Sequence, residues 1–503
     1  MFHAKCPNAP LNAPLSALFV STALAVAACG SGSGDGSDPR VAAGQVLFDA
    51  NCLSCHADSS GQRIATSGTS LVNARNDPAV IVGAISANRG NMGTLSNLSS
   101  DELSSIAAYI GAAIPAPPVA GPSPSPGPSP SPAPVPVNPD GPNTQARAET
   151  VVTGLSSPWG AAFLPDGRLL VSQKGNSFAI VNVAAGRIDA TFGTGIAAVN
   201  AGQGGLLDVA IDPNFASNQR VYWTFAERST SDTSTGTAVA RGRLSGNSIV
   251  EATVIFRQAP KQFSDAHFGS RLAFGNDGHL FVTLGDRRQD DPDSPTGDYA
   301  QNRANTLGKV VRITTDGAPA PGNPSFGSGA ALGLWSLGHR NPQGAVIHPS
   351  TGELWVSEHG PLGGDEINIA RAGQNYGWPY RSYGCNYGTS GGDGCRIGGG
   401  THAPTYTEPL TTWVPQSIAT SNIAFNTGSR YPGWEGNLFV GAMAGIPNGG
   451  LGVWRLTVSG NSITGREYLL QSLGERVRDV VAGPDGWLYL LTDSGKLLRL
   501  RQS

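Results

Sequence analysis

The sequence predicts an all-β six-bladed β-propeller preceded by a small all-α domain, and three observations lead there. Glycine (68) and proline (37) are abundant among the 503 residues; both destabilise helices, so short strands joined by turns suit most of the chain. A proline-rich stretch separates two unlike regions, and a strand–turn–strand phrase recurs six times in the longer one. Charged residues make up only 14% and the net charge is −3, which leaves no basic stripe for nucleic acid and no acidic tail.

Residues 1–28 read as an export signal. Lys5 gives a weak positive start, and Leu11 to Ala28 is mostly small and apolar. Pro14 interrupts that stretch and no stop-transfer pattern follows, so a permanent membrane helix is not expected. It ends in Val26-Ala27-Ala28-Cys29 with Gly30 following, and small residues before a cysteine resemble the lipobox of bacterial lipoproteins. That implies a lipid anchor on Cys29, a flexible tether over 29–40 and a periplasm-facing protein, held most simply at the outer membrane. A cleaved secretory signal with an incidental cysteine is the alternative.

The small helical domain spans residues 41–114. Cys52-Leu53-Ser54-Cys55-His56 is C-x-x-C-H, the attachment motif of c-type haem. Cys52 and Cys55 would add to the porphyrin vinyl groups, and His56 would ligate the iron. A zinc site would need further Cys or His ligands, and none lies between His56 and the linker. Ser99 and Glu102 are spaced as a capping box, and Leu103, Ile106, Ala107 and Ile110 then form an apolar stripe. The segment resembles a class I cytochrome c. Met92, the only Met between motif and linker, is the candidate sixth iron ligand; a packing methionine is the alternative.

Residues 115–145 are the linker. Pro115 to Pro142 holds 13 prolines, a composition that builds no core and favours extended polyproline conformations. From 146 to 503 an apolar strand, a turn rich in Pro, Asp, Asn or Gly, and a second apolar strand recur. The phrases start at Phe163, Val209, Leu272, Val346, Ile423 and Val480, at intervals of 46, 63, 74, 77 and 57 residues. A four-stranded blade needs at least about 40 residues, so six copies argue for six blades, with a sandwich of hairpins as the alternative. Cys385 and Cys395, ten apart in a Gly-rich loop, are expected to pair in an oxidising compartment.

Several motifs stand out in this region. They are Gly202-Gln203-Gly204-Gly205-Leu206-Leu207-Asp208, Ala266-His267-Phe268-Gly269, Gly338-His339-Arg340-Asn341-Pro342-Gln343-Gly344, Glu358-His359-Gly360-Pro361 with Gly363-Gly364-Asp365-Glu366, Asn375-Tyr376-Gly377-Trp378-Pro379, and Arg476-Val477-Arg478-Asp479. With them the region resembles the soluble aldose sugar dehydrogenases, the glucose/sorbosone dehydrogenase family that uses pyrroloquinoline quinone (PQQ). The resemblance implies oxidation of aldose sugars or related alcohols and aldehydes. Electrons would pass to haem c and then to an external acceptor, a cytochrome or a quinone.

It also implies roles. Arg340, Arg476 and Arg478 would bind the carboxylates of the cofactor through charge-assisted hydrogen bonds, with Gln203 and Asn341 as further contacts. The carbonyls of Gly360 and Pro361 would hold a Ca²⁺ that chelates the cofactor. Glu366 and the Tyr376 carbonyl would hold a second, structural Ca²⁺. His267 would be the general base, oriented by Asp286, and Arg340 would also stabilise negative charge growing on the quinone oxygen. Trp413 resembles the substrate-side aromatic, with a core role as the alternative. His279 and His348 fall in hairpin turns and are expected to be solvated, His339 and His359 are expected to be structural, and His402 has no motif. One departure stands out, since several relatives carry a cofactor-contacting Lys where this chain has Ala444. A propeller hydrolase using Ca²⁺-bound water and a ligand-binding module are the rival classes.

Met92→Ala should leave the haem covalently attached but open its sixth site. The sulfur-to-iron charge-transfer band should vanish and the reduction potential should fall; an unchanged spectrum would move the axial ligand elsewhere.

Overall fold

The computed structural model describes residues 39–51, 81, 98–113, 145–289, 298–444 and 450–503. The leader, Cys29, the haem-motif residues Cys52, Cys55 and His56, Met92 and nearly all of the linker lie outside the described residues. The chain divides into two compact units between Pro128 and Ser129.

In the first unit, helices Pro39–Asn51 and Ser100–Ala113 pack against each other. The first begins inside the segment read as tether, because proline suits an opening turn whose N–H has no intrahelical acceptor. A reciprocal cap opens the second: Ser99 N–H donates to Glu102 Oε2 at 2.7 Å, and Glu102 N–H to Ser99 Oγ at 3.4 Å. The predicted stripe of Leu103, Ile106, Ala107 and Ile110 is buried. The helices cross at Gly44, where a Cβ would lie 1.8 Å from the Ser105 carbonyl oxygen, and Phe48 packs on Tyr109.

The second unit is a six-bladed propeller of four-stranded antiparallel sheets. Six first strands ring the axis: Pro158–Phe163, Leu206–Ile211, Gly269–Phe274, Pro342–Ile347, Thr420–Phe425 and Val477–Ala482. Each recurring phrase is the hairpin from a first strand to a second, as where Leu272 pairs with Val282, Val346 with Trp355 and Val480 with Leu490. The outer strand of the sixth blade is Ala146–Val152, which lies antiparallel to Leu497–Gln502 and so closes the ring. Many second and third strands are buried along their whole length, as Leu280–Leu284 and Lys309–Ile313 are, because blades cover them on both faces.

That stacking corrects two expectations. His348 does sit at a hairpin turn, but it is buried against Trp355 and the edge of Phe425, since the fifth blade packs over it. Trp413 lies on Thr411–Trp413, the outermost strand of the fourth blade, only 3% exposed. It meets Trp454 edge-on and lies under the Arg466 guanidinium, so it belongs to the core between the fourth and fifth blades and not to a substrate mouth.

At the axis the buried Arg271 touches residues from most of the ring. Its Nη1 donates to Asp208 at 2.9 Å and lies 3.5 Å from Asp479; Nε donates to the Gln343 carbonyl, and the guanidinium stacks on Trp159. Asp479 in turn accepts from Ala161 N–H and Asn422 Nδ2, so all six blades meet through one cation and two carboxylates. Burial raises both carboxyls, Asp479 to about 6, which marks how much they depend on that cation. Arg271→Met should therefore cost about 3–5 kcal/mol of propeller stability, because it leaves two buried carboxylates uncompensated. Denaturant unfolding checks this, and a loss under about 1 kcal/mol would mean that water reaches the axis.

Candidate active site

Antiparallel blades bring two kinds of segment to the same end of the ring: those entering a first strand and those leaving a second. Gln203, His267, Arg340, Asn341 and Arg476 precede first strands, and Arg478 is the second residue of one. Lys174, Asp286, Gly360, Ala444 and Asp493 follow second strands. The topology thus gathers on one face nearly every residue that the sequence put forward for the propeller site.

His267 is the centre of one cluster. Its Nδ1 bonds Asp286 Oδ1 at 2.7 Å, so Nδ1 carries the proton and Nε2 keeps a free lone pair. Asp286 is fully buried; its Oδ2 accepts from Trp378 Nε1 at 2.8 Å and its Oδ1 also accepts from Arg288 N–H. The backbone of His267 is left-handed (φ 51°), and its N–H donates to Gln203 Oε1 at 2.8 Å. Gly285 is required here, since a Cβ would fall 2.1 Å from the His267 carbonyl oxygen. Arg287 supports the loop from behind: buried on the Phe268 ring, it donates to the carbonyls of Ser264, Ala266 and Thr235. Burial, reinforced by the nearby Arg340 charge, pushes His267 below the ordinary imidazole value, so it is neutral at pH 7.

Arg340 forms the second cluster. Its N–H donates to Glu358 Oε1, while Glu358 Oε2 bonds His339 Nδ1 at 2.8 Å; His339 stacks on Tyr376. Arg340 Nη1 donates to the Gly360 carbonyl at 2.8 Å, and its guanidinium lies 5.2 Å from the Trp378 ring centre. His359 bonds the Thr420 carbonyl, and burial drops it to about 3. As expected, both His339 and His359 serve as structural groups.

Arg476 and Arg478 form the third, and they share one anion. Arg478 forks onto both oxygens of Asp493 at 2.8 and 3.0 Å, and Arg476 Nε reaches the same carboxylate at 2.7 Å. Burial works against Asp493 ionising, but the two guanidinium groups outweigh it and hold its carboxyl below the usual range. With Lys174 alongside, three cations face one carboxylate. Two buried donors, Arg340 Nε and Asn341 Nδ2, have no hydrogen-bond partner among the described residues. Surplus donors and surplus positive charge fit a polyanionic ligand. Gly360 O keeps a second lone pair after accepting from Arg340, so with the Pro361 carbonyl it offers the hard oxygens that suit Ca²⁺.

Glu366 adjoins the second cluster, around a small cavity of about 10 Å³ lined also by Arg340, Glu358, Gly360, Tyr376 and His402. Burial raises Glu366 to about 7. His402 Nε2 approaches it at 3.7 Å; burial opposes a charged imidazole there, but Glu366 and Glu408 outweigh it and raise His402. Unpartnered Asn368 Oδ1 adds a further oxygen two residues on, so the donors suit a hard cation. Among the described residues no three His, Cys, Asp or Glu side chains form a metal-binding group. Cys385 and Cys395 are disulfide-bonded, with Cα atoms 5.2 Å apart.

Sequence reasoning missed four participants. Trp378 and Glu358 lay inside quoted motifs, and only their partners reveal what they do. Asp493 and Lys174 sit in no motif; their common signal is position, one residue past a second strand.

The comparisons with known proteins place the chain by family and fold. The family model described as glucose/sorbosone dehydrogenase matches residues 155–499, and one described as cytochrome c oxidase, cbb3-type, subunit III matches residues 39–110. The aldose sugar dehydrogenase YliI of Escherichia coli is 40% identical over 359 residues, covering 70% of this chain and 92% of its own length. The apo-form structure of the soluble aldose sugar dehydrogenase from Escherichia coli is 38% identical with a TM-score of 0.64, covering 71% of this chain and 100% of that one. The PQQ-bound aldose sugar dehydrogenase of Streptomyces coelicolor is 29% identical with a TM-score of 0.56, covering 72% and 100%.

Trp378→Phe keeps a ring near Arg340 but deletes the indole N–H, leaving the buried Asp286 Oδ2 without its donor. The expected cost is about 1–3 kcal/mol in unfolding free energy. A variant as stable as the parent would show that solvent serves Oδ2.

Proposed function

The chain belongs to the glucose/sorbosone dehydrogenase family, and from that premise we propose that it oxidises the anomeric carbon of aldose sugars, or related alcohols and aldehydes, with PQQ and Ca²⁺. Electrons then pass to the haem c of its own cytochrome c domain and on to an external acceptor. The observation that carries this reading is the Asp286–His267 pair. Holding the proton on Nδ1, it leaves Nε2 as a base for a sugar hydroxyl.

The steps assigned to the protein are these. His267 Nε2 takes the hydroxyl proton as the C1–H bond breaks, and the sugar carbon becomes a lactone carbonyl. Asp286 offsets the charge of the imidazolium so formed, and Trp378 keeps Asp286 aimed. When bound, PQQ supplies the two-electron acceptor for the departing hydride. Arg340 would stabilise the negative charge that grows on the quinone oxygen. Arg476, Arg478, Gln203 and Asn341 would hold the cofactor, Gly360 and Pro361 its Ca²⁺, and Glu366 with the Tyr376 carbonyl the structural Ca²⁺. Export, lipidation at Cys29, a periplasm-facing position and haem ligation by Cys52, Cys55, His56 and Met92 belong to the same proposal. The linker keeps the haem acceptor at high local concentration.

The test is sugar-dependent haem reduction by the full-length protein loaded with PQQ and Ca²⁺; no reduction with any aldose would sink the reading. His267→Asn should lower turnover about 10²–10⁴-fold while the fold survives. The active base is the neutral imidazole, and its value is depressed below 6.5. So kcat/KM should hold as pH falls through 6.5 and decline only below it. An acid limb above 6.5 would assign the titration to another group.

A further inference from the structure

Resting on the quinone reading above, we propose that Lys174 supplies the cofactor-anchoring cation that Ala444 lacks, donating to a carboxylate of the quinone from the opposite flank of the arginine pair. The argument is one of position first. Lys174 directly follows Leu169–Gln173, the second strand of the first blade, and Ala444 directly follows Leu438–Met443, the second strand of the fifth. The sixth blade, which carries Arg476, Arg478 and Asp493, stands between those two in the ring. Equivalent residues therefore border the same arginine pair, one on each side.

The local geometry suits the task. Lys174 N–H donates to the Ser157 carbonyl at 3.0 Å, and its own carbonyl accepts from Leu206 N–H at 3.2 Å. A Cβ at Gly205 would fall 2.7 Å from that same carbonyl, so the backbone is closely packed. Nζ donates to the Gly202 carbonyl at 2.8 Å, and among the described residues that is its only partner. Gly202 adjoins Gln203, which holds the His267 backbone, so the ammonium sits between base and arginines. Two of its three protons remain for a ligand.

Energetics point the same way. The ammonium is half-buried; burial and then the positive charge of Arg478 lower its pKa, and Asp493 only partly compensates. A cation kept beside another cation, with one carboxylate shared among three, is stabilised when a polyanion arrives. Ala444, the equivalent residue on the other flank, supplies no such group: its N–H donates to the Ile418 carbonyl and its side chain ends at Cβ.

Calorimetric titration of PQQ into the full-length apoprotein with Ca²⁺ present tests this. Lys174→Gln should raise Kd about 10- to 100-fold, the range of one charge-assisted hydrogen bond. Lys174→Arg, which keeps the charge, should lose clearly less. Equal affinity of Lys174→Gln and the parent overturns the inference and leaves the quinone reading intact. Equal losses in Lys174→Gln and Lys174→Arg also overturn it, since loop shape would then be the cause. A parent that binds no PQQ overturns both.

Discussion

The Arg271 guanidinium at the propeller axis is the constraint on which the rest of this unit depends. A ring of six sheets leaves a central shaft where strand ends carry amides and carboxylates that cannot all pair within their own blade. One cation against Asp208 and Asp479, seated on Trp159, resolves that shaft into a single connected network. It also reaches the site directly. Arg271 bonds the backbone of Gln343, Nη2 lies 3.5 Å from the Arg478 carbonyl oxygen, and Gln343 Oε1 accepts from Arg478 Nη1. Arg478, which forks onto Asp493, is thereby registered to the axis and not to a loop.

The same economy governs the chemistry. The central side chain of each cluster is held by a second group and a third: His267 by Asp286 and Trp378, Arg340 by Glu358 and His339, Arg478 by Asp493 and Gln343. Orientation fixed at folding need not be supplied again during the reaction. Left-handed backbone at His267, Arg287 and Arg288 is tolerated because these contacts over-determine the loop.

Much of this was legible in the sequence, and the reasons are local. Turns made of Pro, Asp and Gly announce hairpins, so the six phrases located the first and second strands of every blade. Ser99 and Glu102 announced a helix start for the same kind of reason. His267 and Arg340 were legible through motifs and Asp286 through the family resemblance, and the ring of blades brings them to one face. What stayed hidden depends on the neighbouring blade. Trp413 and His348 were misplaced because their burial comes from the fifth blade, more than a strand away in sequence. Asp493 and Lys174 escaped because a lone acid after Thr492 or a lone lysine after Gln173 means nothing until the ring sets them side by side.

The ring closure has a consequence for the order of events in synthesis. Ala146 pairs with Gln502, so along the chain the outer strand of the last blade is the first strand of the propeller and its partner the last described. Five blades can be complete while the sixth still lacks its closing strand, and an unpaired strand edge invites association with other chains. Ring closure then waits on almost the full span of the domain, the kind of long-range contact that folds slowly. A chain of this design needs its early strand kept apart from other edges until Leu497–Gln502 is at hand to pair with it.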